Sequence, residues 1–211
     1  MKAVVYSEYG GPEVLQLTEV EKPTPGPNEI LVKVHAAALN PVDWHFVRGA
    51  PYPLRMAAGG LRRPSPHRRV GCDYSGTVEA IGSTVTGFTV GAPVFGLGDG
   101  CLAEYLAVPA DRMILPKPDR VTFEQAAGVG LAGLTALQVL RDKALVRSGH
   151  NILIVGAAGG IGTFAVQLAK AFGADVTGVQ STAALDLVRS LGCHSRDRLH
   201  EGRLHDGRHA L

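Results

Sequence analysis

Residues 151–162 read NILIVGAAGGIG. Ile152, Leu153, Ile154 and Val155 form a continuous apolar run, the pattern of a parallel strand covered on both faces. The run ends in a glycine-rich turn, with glycines at 156, 159, 160 and 162. In the spacing that cradles a dinucleotide pyrophosphate (glycine, any, glycine, any, any, glycine), the key positions are Ala157, Gly159 and Gly162, and only the first departs. The first small residue permits the tight turn, Gly159 lets the backbone approach phosphates, and Gly162 lets a helix pack closely on the strand. With Ala158, Gly160 and Ile161 they make a turn whose free N–H groups and helix dipole favour an anion.

The residues that follow support this reading. Ile161, Phe164, Ala165, Leu168 and Phe172 fall on one face of a helix, with Gly173 as its C-terminal stop. A second strand is expected at Asp175 to Val179, completing a strand–helix–strand unit. Cofactor preference is written at the end of that strand, where a carboxylate would bind the ribose hydroxyls of NAD. Gln180, Ser181 and Thr182 stand there instead, which favours NADP(H). Ser181 or Thr182 would also serve as a cap for a helix running to Leu191.

The chain has 211 residues, 45% of them hydrophobic and 19% charged, as expected of a globular protein with one good core or two small domains. A formal net charge of +2 and the lack of a basic stripe with aromatics give no case for nucleic acid. Arg62, Arg63, Arg68 and Arg69 cluster among prolines and glycine and read as a solvated surface loop, or as help in attracting an anion. No apolar run is long enough to span a membrane, and MKAVVYSEYG reads as a strand rather than a leader. Cytoplasmic localisation is the default. Cys72, Cys101 and Cys193 are widely spaced and offer no disulfide framework or cysteine-rich zinc lobe.

The first 120 or so residues read as an all-β module, with strands expected at Ala3–Tyr6, Val14–Glu19, Ile30–Ala36, Ser75–Ile81, Pro93–Leu97, Ala103–Val108 and Met113–Leu115. NPVDWHFVRG, from Asn40, supplies an N-cap, a proline at the first helical position and an acid in the first turn. Val121 to Val146 reads as a pair of helices leading to the glycine-turn strand. The reading therefore divides the chain into residues 1–120, 121–192 and a tail, 193–211.

Several separated motifs resemble the medium-chain dehydrogenase/reductase family, in particular its quinone oxidoreductase branch. GPNEILVKVHAAALNPVDW (26–44) is similar to the family's first barrel hairpin and asparagine-containing turn, and GCDYSGTVEAIG (71–82) to its glycine-spaced strand pair. CLAEYLAVPA (101–110) and AGLTALQVL (132–140) resemble the strand before the domain junction and the helix lining the nicotinamide cleft. The resemblance runs over roughly residues 1 to 192. It implies an α/β and β architecture: a GroES-like β-barrel domain followed by an incomplete Rossmann domain with a doubly wound parallel sheet.

The resemblance also frames the metal question. Zinc-dependent alcohol dehydrogenases carry a cysteine where this chain has Asn40, and a His-Glu pair where it has Cys72 and Asp73. The third ligand would fall between Ala127 and Leu134, where there is no cysteine, histidine or acid. A catalytic zinc needs three protein ligands, so no metal is expected and Cys72 reads as a small buried residue. The implied activity is NADPH-dependent, zinc-independent hydride transfer to a quinone or α,β-unsaturated carbonyl compound, a small-molecule partner. Asn40, Asp43 and Tyr52 are the implied catalytic set, with Trp44 and His45 nearby and Thr135 beside the nicotinamide. His45 reads equally as a helix-surface histidine, and Asp43 as a stabiliser of its own helix.

The last stretch, CHSRDRLHEGRLHDGRHAL (193–211), holds four of the eight histidines and little apolar periodicity. A Rossmann domain would enter its third strand here, so the tail reads as a frame-shifted or truncated end. An alternative is therefore an inactive fragment acting as a binding or oligomerisation module, and a further one is an alcohol dehydrogenase-like member of the same superfamily. The assembly is left open, with a homodimer as the commonest soluble form.

Overall fold

The computed structural model describes residues 1–197, and side chains as far as His194. Two compact units divide between Leu131 and Ala132. That division is later than residue 120 because the short helix α3 (Phe123–Ala127) packs on strands of the first unit, where Ser75 Oγ donates to the Phe123 carbonyl at 2.6 Å.

In the first unit, strands β1 (Lys2–Tyr6), β2 (Gln16–Glu19) and β4 (Arg68–Arg69) form a small antiparallel sheet in the order β2-β1-β4. A second sheet takes the order β7-β3-β5-β6-β8, from β3 (Glu29–Ala38), β5 (Asp73–Ile81), β6 (Pro93–Leu97), β7 (Tyr105–Pro109) and β8 (Ile114–Pro116). Register shifts between Leu31 and Val32 and between Val34 and Ala36 mark where the long strand β3 bends. Ile30, Val32, Tyr74, Val78, Val94, Leu106, Val108 and Ile114 make its core. Helices α1 (Pro41–Arg48) and α2 (Pro53–Ala57) fill the connection from β3 to β4.

Three expectations for this unit are corrected. Val14 lies in a 3-10 turn, Pro12–Val14, so the strand starts at Gln16. Met113 has a φ of +48°, outside extended geometry, so β8 begins at Ile114. Arg68 and Arg69 are not in a solvated loop: they pair with Tyr6 and Val5, and Arg68 bridges Asp99 at 3.3 Å and lies over the Phe46 ring.

The second unit begins within α4 (Gly130–Gln138), continues through a π turn (Val139–Lys143), and contains β9 (Asn151–Val155), α5 (Gly160–Ala171), β10 (Asp175–Gln180), α6 (Leu185–Ser190) and β11 (His194–Asp197). The three strands are parallel in the order β11-β10-β9. The expectation that no third strand follows Gly192 is thus overturned. A ladder needs only backbone N–H and C=O groups, and β11 makes one despite its polar sequence. Cys193, expected in the aberrant tail, is buried against Val176 and Val188. The rest of the tail, 198–211, lies outside the described residues.

Strand β9 also differs from expectation. Ile152 and Ile154 face the core, but Leu153 and Val155 are exposed, Val155 at 75%. Its apolar run reflects two faces, of which one is covered among the described residues. Helix α5 buries Gly162, Ala165, Val166 and Ala169, while Ile161 is exposed. Of the expected stripe only Ile161 departs, since Phe164, Leu168 and Phe172 pack against the same buried cluster as Ala165.

Candidate active site and nucleotide turn

Four polar side chains meet at the end of β3, the start of α1 and the start of β5. Asn40 is the N-cap of α1, and Pro41 at the first helical position needs no N–H partner. Asp43, one turn in and 4% exposed, accepts from the Asn40 backbone N–H through Oδ2 at 2.7 Å. The Asp43 N–H goes to the Asn40 backbone carbonyl at 3.0 Å. The other Asp43 oxygen, Oδ1, accepts from the Cys72 thiol at 3.1 Å. Asp73, 1% exposed, accepts from Asn40 Nδ2 through Oδ2 and from the Leu131 N–H through Oδ1, both at 2.8 Å.

The electrostatics follow from burial among acids. The Cys72 thiol is pushed up to about 12, first by desolvation and then by its hydrogen bond to Asp43. Burial also raises the Asp73 carboxyl above the usual carboxylate range, and its two donors, Asn40 and Leu131, partly offset that. Asn40 and Asp43 line an apolar cavity of about 650 Å³ in the first unit, together with Leu39, Trp44, Val47 and Leu102.

Tyr52 is placed differently. It is 69% exposed, precedes α2, and has the Arg55 guanidinium 4.3 Å from its ring centre. The structure therefore joins Asn40 to Asp43 but gives Tyr52 no bond to either. His45 stacks on Trp44 with centroids 4.1 Å apart, and its Nδ1 pairs with the Ala50 carbonyl at 2.8 Å, which commits one ring nitrogen to the turn after the helix.

In the second unit the glycine turn explains its one irregular position. The positive φ, +78°, falls on Gly156, one residue before the register position occupied by Ala157. Ala157 therefore needs no glycine, and its side chain is fully buried. The N–H groups of Gly156 and Ala157 both point to the Val179 carbonyl, at 2.8 and 3.4 Å, tying the turn to β10. Gly159 is the N-cap of α5, and Gly160, Ile161 and Gly162 form its first turn. A methyl group on Gly162 would run into the Gly156 carbonyl oxygen, so the close packing expected of this residue is realised. Ala158 and Thr135 are half-buried, in the turn and in α4 respectively.

Gln180 closes β10. It is 5% exposed, and neither its Oε1 nor its Nε2 has a hydrogen-bond partner among the described residues. Ser181 is at the N-cap of a 3-10 turn, Thr182–Ala184, without a side-chain cap bond, and α6 starts behind Ala184. Ser181 is thus not the cap that was expected for that helix.

Sequence reasoning set Cys72 and Asp73 aside as vacated ligand positions and missed their hydrogen bonds to Asp43 and Asn40. The available signal was Asp73 itself, an acid leading an otherwise small and apolar strand segment, which demands partners once buried.

A barrel-like antiparallel unit followed by parallel strands and a glycine turn defines the class, and the comparisons agree. The alcohol dehydrogenase GroES-like domain matches residues 26–119. The quinone oxidoreductase of Homo sapiens is 36% identical over 185 residues, covering 86% of this chain and 53% of its own length. That of Pseudomonas aeruginosa is 40% identical over 183 residues, with 86% and 53% covered. The structure of Escherichia coli quinone oxidoreductase complexed with NADPH superposes with a TM-score of 0.84 at 29% identity, covering 97% of this chain and 60% of that one. The chain belongs to the medium-chain dehydrogenase/reductase family, on its quinone oxidoreductase-like branch. It spans about half the length of the curated relatives it matches.

Proposed function

We propose that this chain carries the substrate-side and nucleotide-side elements of an NADPH-dependent, zinc-independent oxidoreductase acting on a quinone or an α,β-unsaturated carbonyl compound. The observation that carries the reading is the glycine turn, whose Gly162 has no room for a side chain and whose α5 N-terminus follows directly. Gln180 supports it, since a buried amide with both ends unengaged suits a site completed by a polar ligand. Gly159 to Gly162 would hold the pyrophosphate, with Ala157 and Ala158 shaping the turn. Gln180, Ser181 and Thr182 would face the adenosine ribose, with no carboxylate there to repel a 2′-phosphate. Thr135 would stand on the nicotinamide side. When bound, the dinucleotide supplies the hydride.

The donor set near Asn40 does not suit zinc. Among the described residues, no three Cys, His, Asp or Glu side chains converge as a zinc site requires, and the Cys72 thiol donates to Asp43. Asn40 and Asp73 are bonded to each other. Asn40 orients the substrate, Asp43 fixes Asn40 through its backbone, and Tyr52 provides a phenol to protonate the reduced oxygen. Three free cysteines agree with a reducing compartment and support the cytoplasm as the proposed location, with a homodimer as the proposed assembly. Among the described residues, no helix is long and apolar enough to cross a membrane.

A second reading, a binding or oligomerisation module without turnover, is favoured by the exposed Leu153 and Val155 on β9. Titration of the chain with NADPH, followed by nicotinamide fluorescence, separates the two. Saturable binding is expected; no binding combined with self-association overturns the enzyme reading.

A further inference from the structure

Asp73 is a fully buried acid with no assigned role, and it touches two elements at once. A carboxylate can only accept, so of the two ends of the Asn40 amide it selects the Nδ2 end. Its second oxygen is occupied by the Leu131 N–H, the first turn of α4. A Cβ on Gly130 would come within 2.5 Å of Asp73 Oδ1, so the backbone there is shaped around this carboxylate. Both oxygens are thereby fixed by separate donors, and the Asn40 side chain inherits that rigidity. Asn40 meanwhile stands at the wall of an apolar cavity, where an unrestrained amide would be free to turn over.

We propose that Asp73 is a positioning residue: it holds the Asn40 amide by Nδ2 and so determines which end of that amide is presented to the ligand. This deepens, and rests on, the reading of Asn40 as a substrate-orienting group. Asp73→Asn is a discriminating change because it conserves shape and both hydrogen bonds. Its Oδ1 keeps the Leu131 N–H, its Nδ2 now faces Asn40, and Asn40 must reverse to offer Oδ1. A structural role would tolerate that exchange, whereas a positioning role would not.

The experiment is a double-mutant cycle on the full chain with Asp73→Asn, Asn40→Ser and the pair, reading kcat and KM with NADPH and a simple benzoquinone. Serine keeps an N-cap oxygen while removing the amide. The expected result is a fall in kcat on the order of tenfold to a hundredfold for Asp73→Asn, with the NADPH KM held, and no further loss in the Asn40→Ser background. An equal loss in both backgrounds overturns the proposal, as does unchanged kcat in Asp73→Asn when Asn40→Ser is impaired. If the unsubstituted chain does not turn over, the activity reading fails by itself, and 15N NMR of the Asn40 side-chain amide decides the positioning role. A displaced proton pair in Asp73→Asn supports it, and an unmoved pair overturns it. Asp73→Ser, which still offers an acceptor, runs the same measurements if Asp73→Asn does not fold.

Discussion

The two polar regions of this molecule solve the problem of burial in opposite ways. Around Asn40, the carboxylates of Asp43 and Asp73 are almost fully enclosed, yet all four of their oxygens accept hydrogen bonds from within the chain. At the glycine turn the Gly156, Ala157 and Gly159 N–H groups are bonded within the chain, but Gln180 is enclosed with neither end of its amide engaged among the described residues. A self-satisfied cluster is held in one arrangement and adds to the stability of the fold. An unengaged buried amide costs stability and retains capacity for something that arrives later. The first region reads as preorganised and the second as completed by its ligand.

The contrast can be broken most severely at Gly162. Replacement by valine forces backbone apart at the turn, with an expected stability loss of about 3 kcal/mol and abolished NADPH binding, measured by denaturant titration and fluorescence. Unaltered binding would remove the turn from the nucleotide site. In the cluster, Asp43→Ala leaves the Asn40 N–H and the Cys72 thiol without their acceptor, and about 2 kcal/mol of stability should be lost in urea unfolding. Loss of a few tenths only would mean that the cluster is not the closed unit described above.

Gln180→Leu sharpens the comparison from the other side. With nothing to lose in the free chain, stability should hold or rise by up to about 1 kcal/mol, while NADPH affinity falls about tenfold. A destabilised variant would show that the amide is already paired. The smallest effect is expected from pH. Because the folded Cys72 thiol is raised to about 12, both states are protonated at neutral pH, and the unfolded thiol ionises first as pH rises. Stability should therefore decline from the ordinary thiol value up to about 12, and Cys72→Ala should flatten that decline in thermal melts taken across the range.

Much of this architecture was legible from residue order. The glycine spacing from 156 to 162 announces a strand–turn–helix because only residues without side chains allow that approach, and the alternating strands before residue 120 carry their inward faces in the pattern itself. The role of Ala157 was not legible, since the left-handed residue is its neighbour Gly156. Nor was the exposure of Leu153 and Val155, because an apolar run does not say which of its faces is covered. Strand β11 is not legible because its histidine-rich, polar sequence carries little apolar periodicity, whereas a strand at a sheet edge is held by its backbone.

The sequence by itself determined the family, the order of the two units and the residues of the glycine turn, all of which depend on local spacing and on the intrinsic freedom of glycine and proline. Tertiary structure alone decided that Cys72 faces Asp43 and that Asp73, 33 positions beyond Asn40, holds its amide. Those pairings are made by antiparallel registry between β3 and β5, which brings Ala38 opposite Asp73. Registry is a long-range property, set by how the whole sheet buries its apolar face, and no local pattern encodes it.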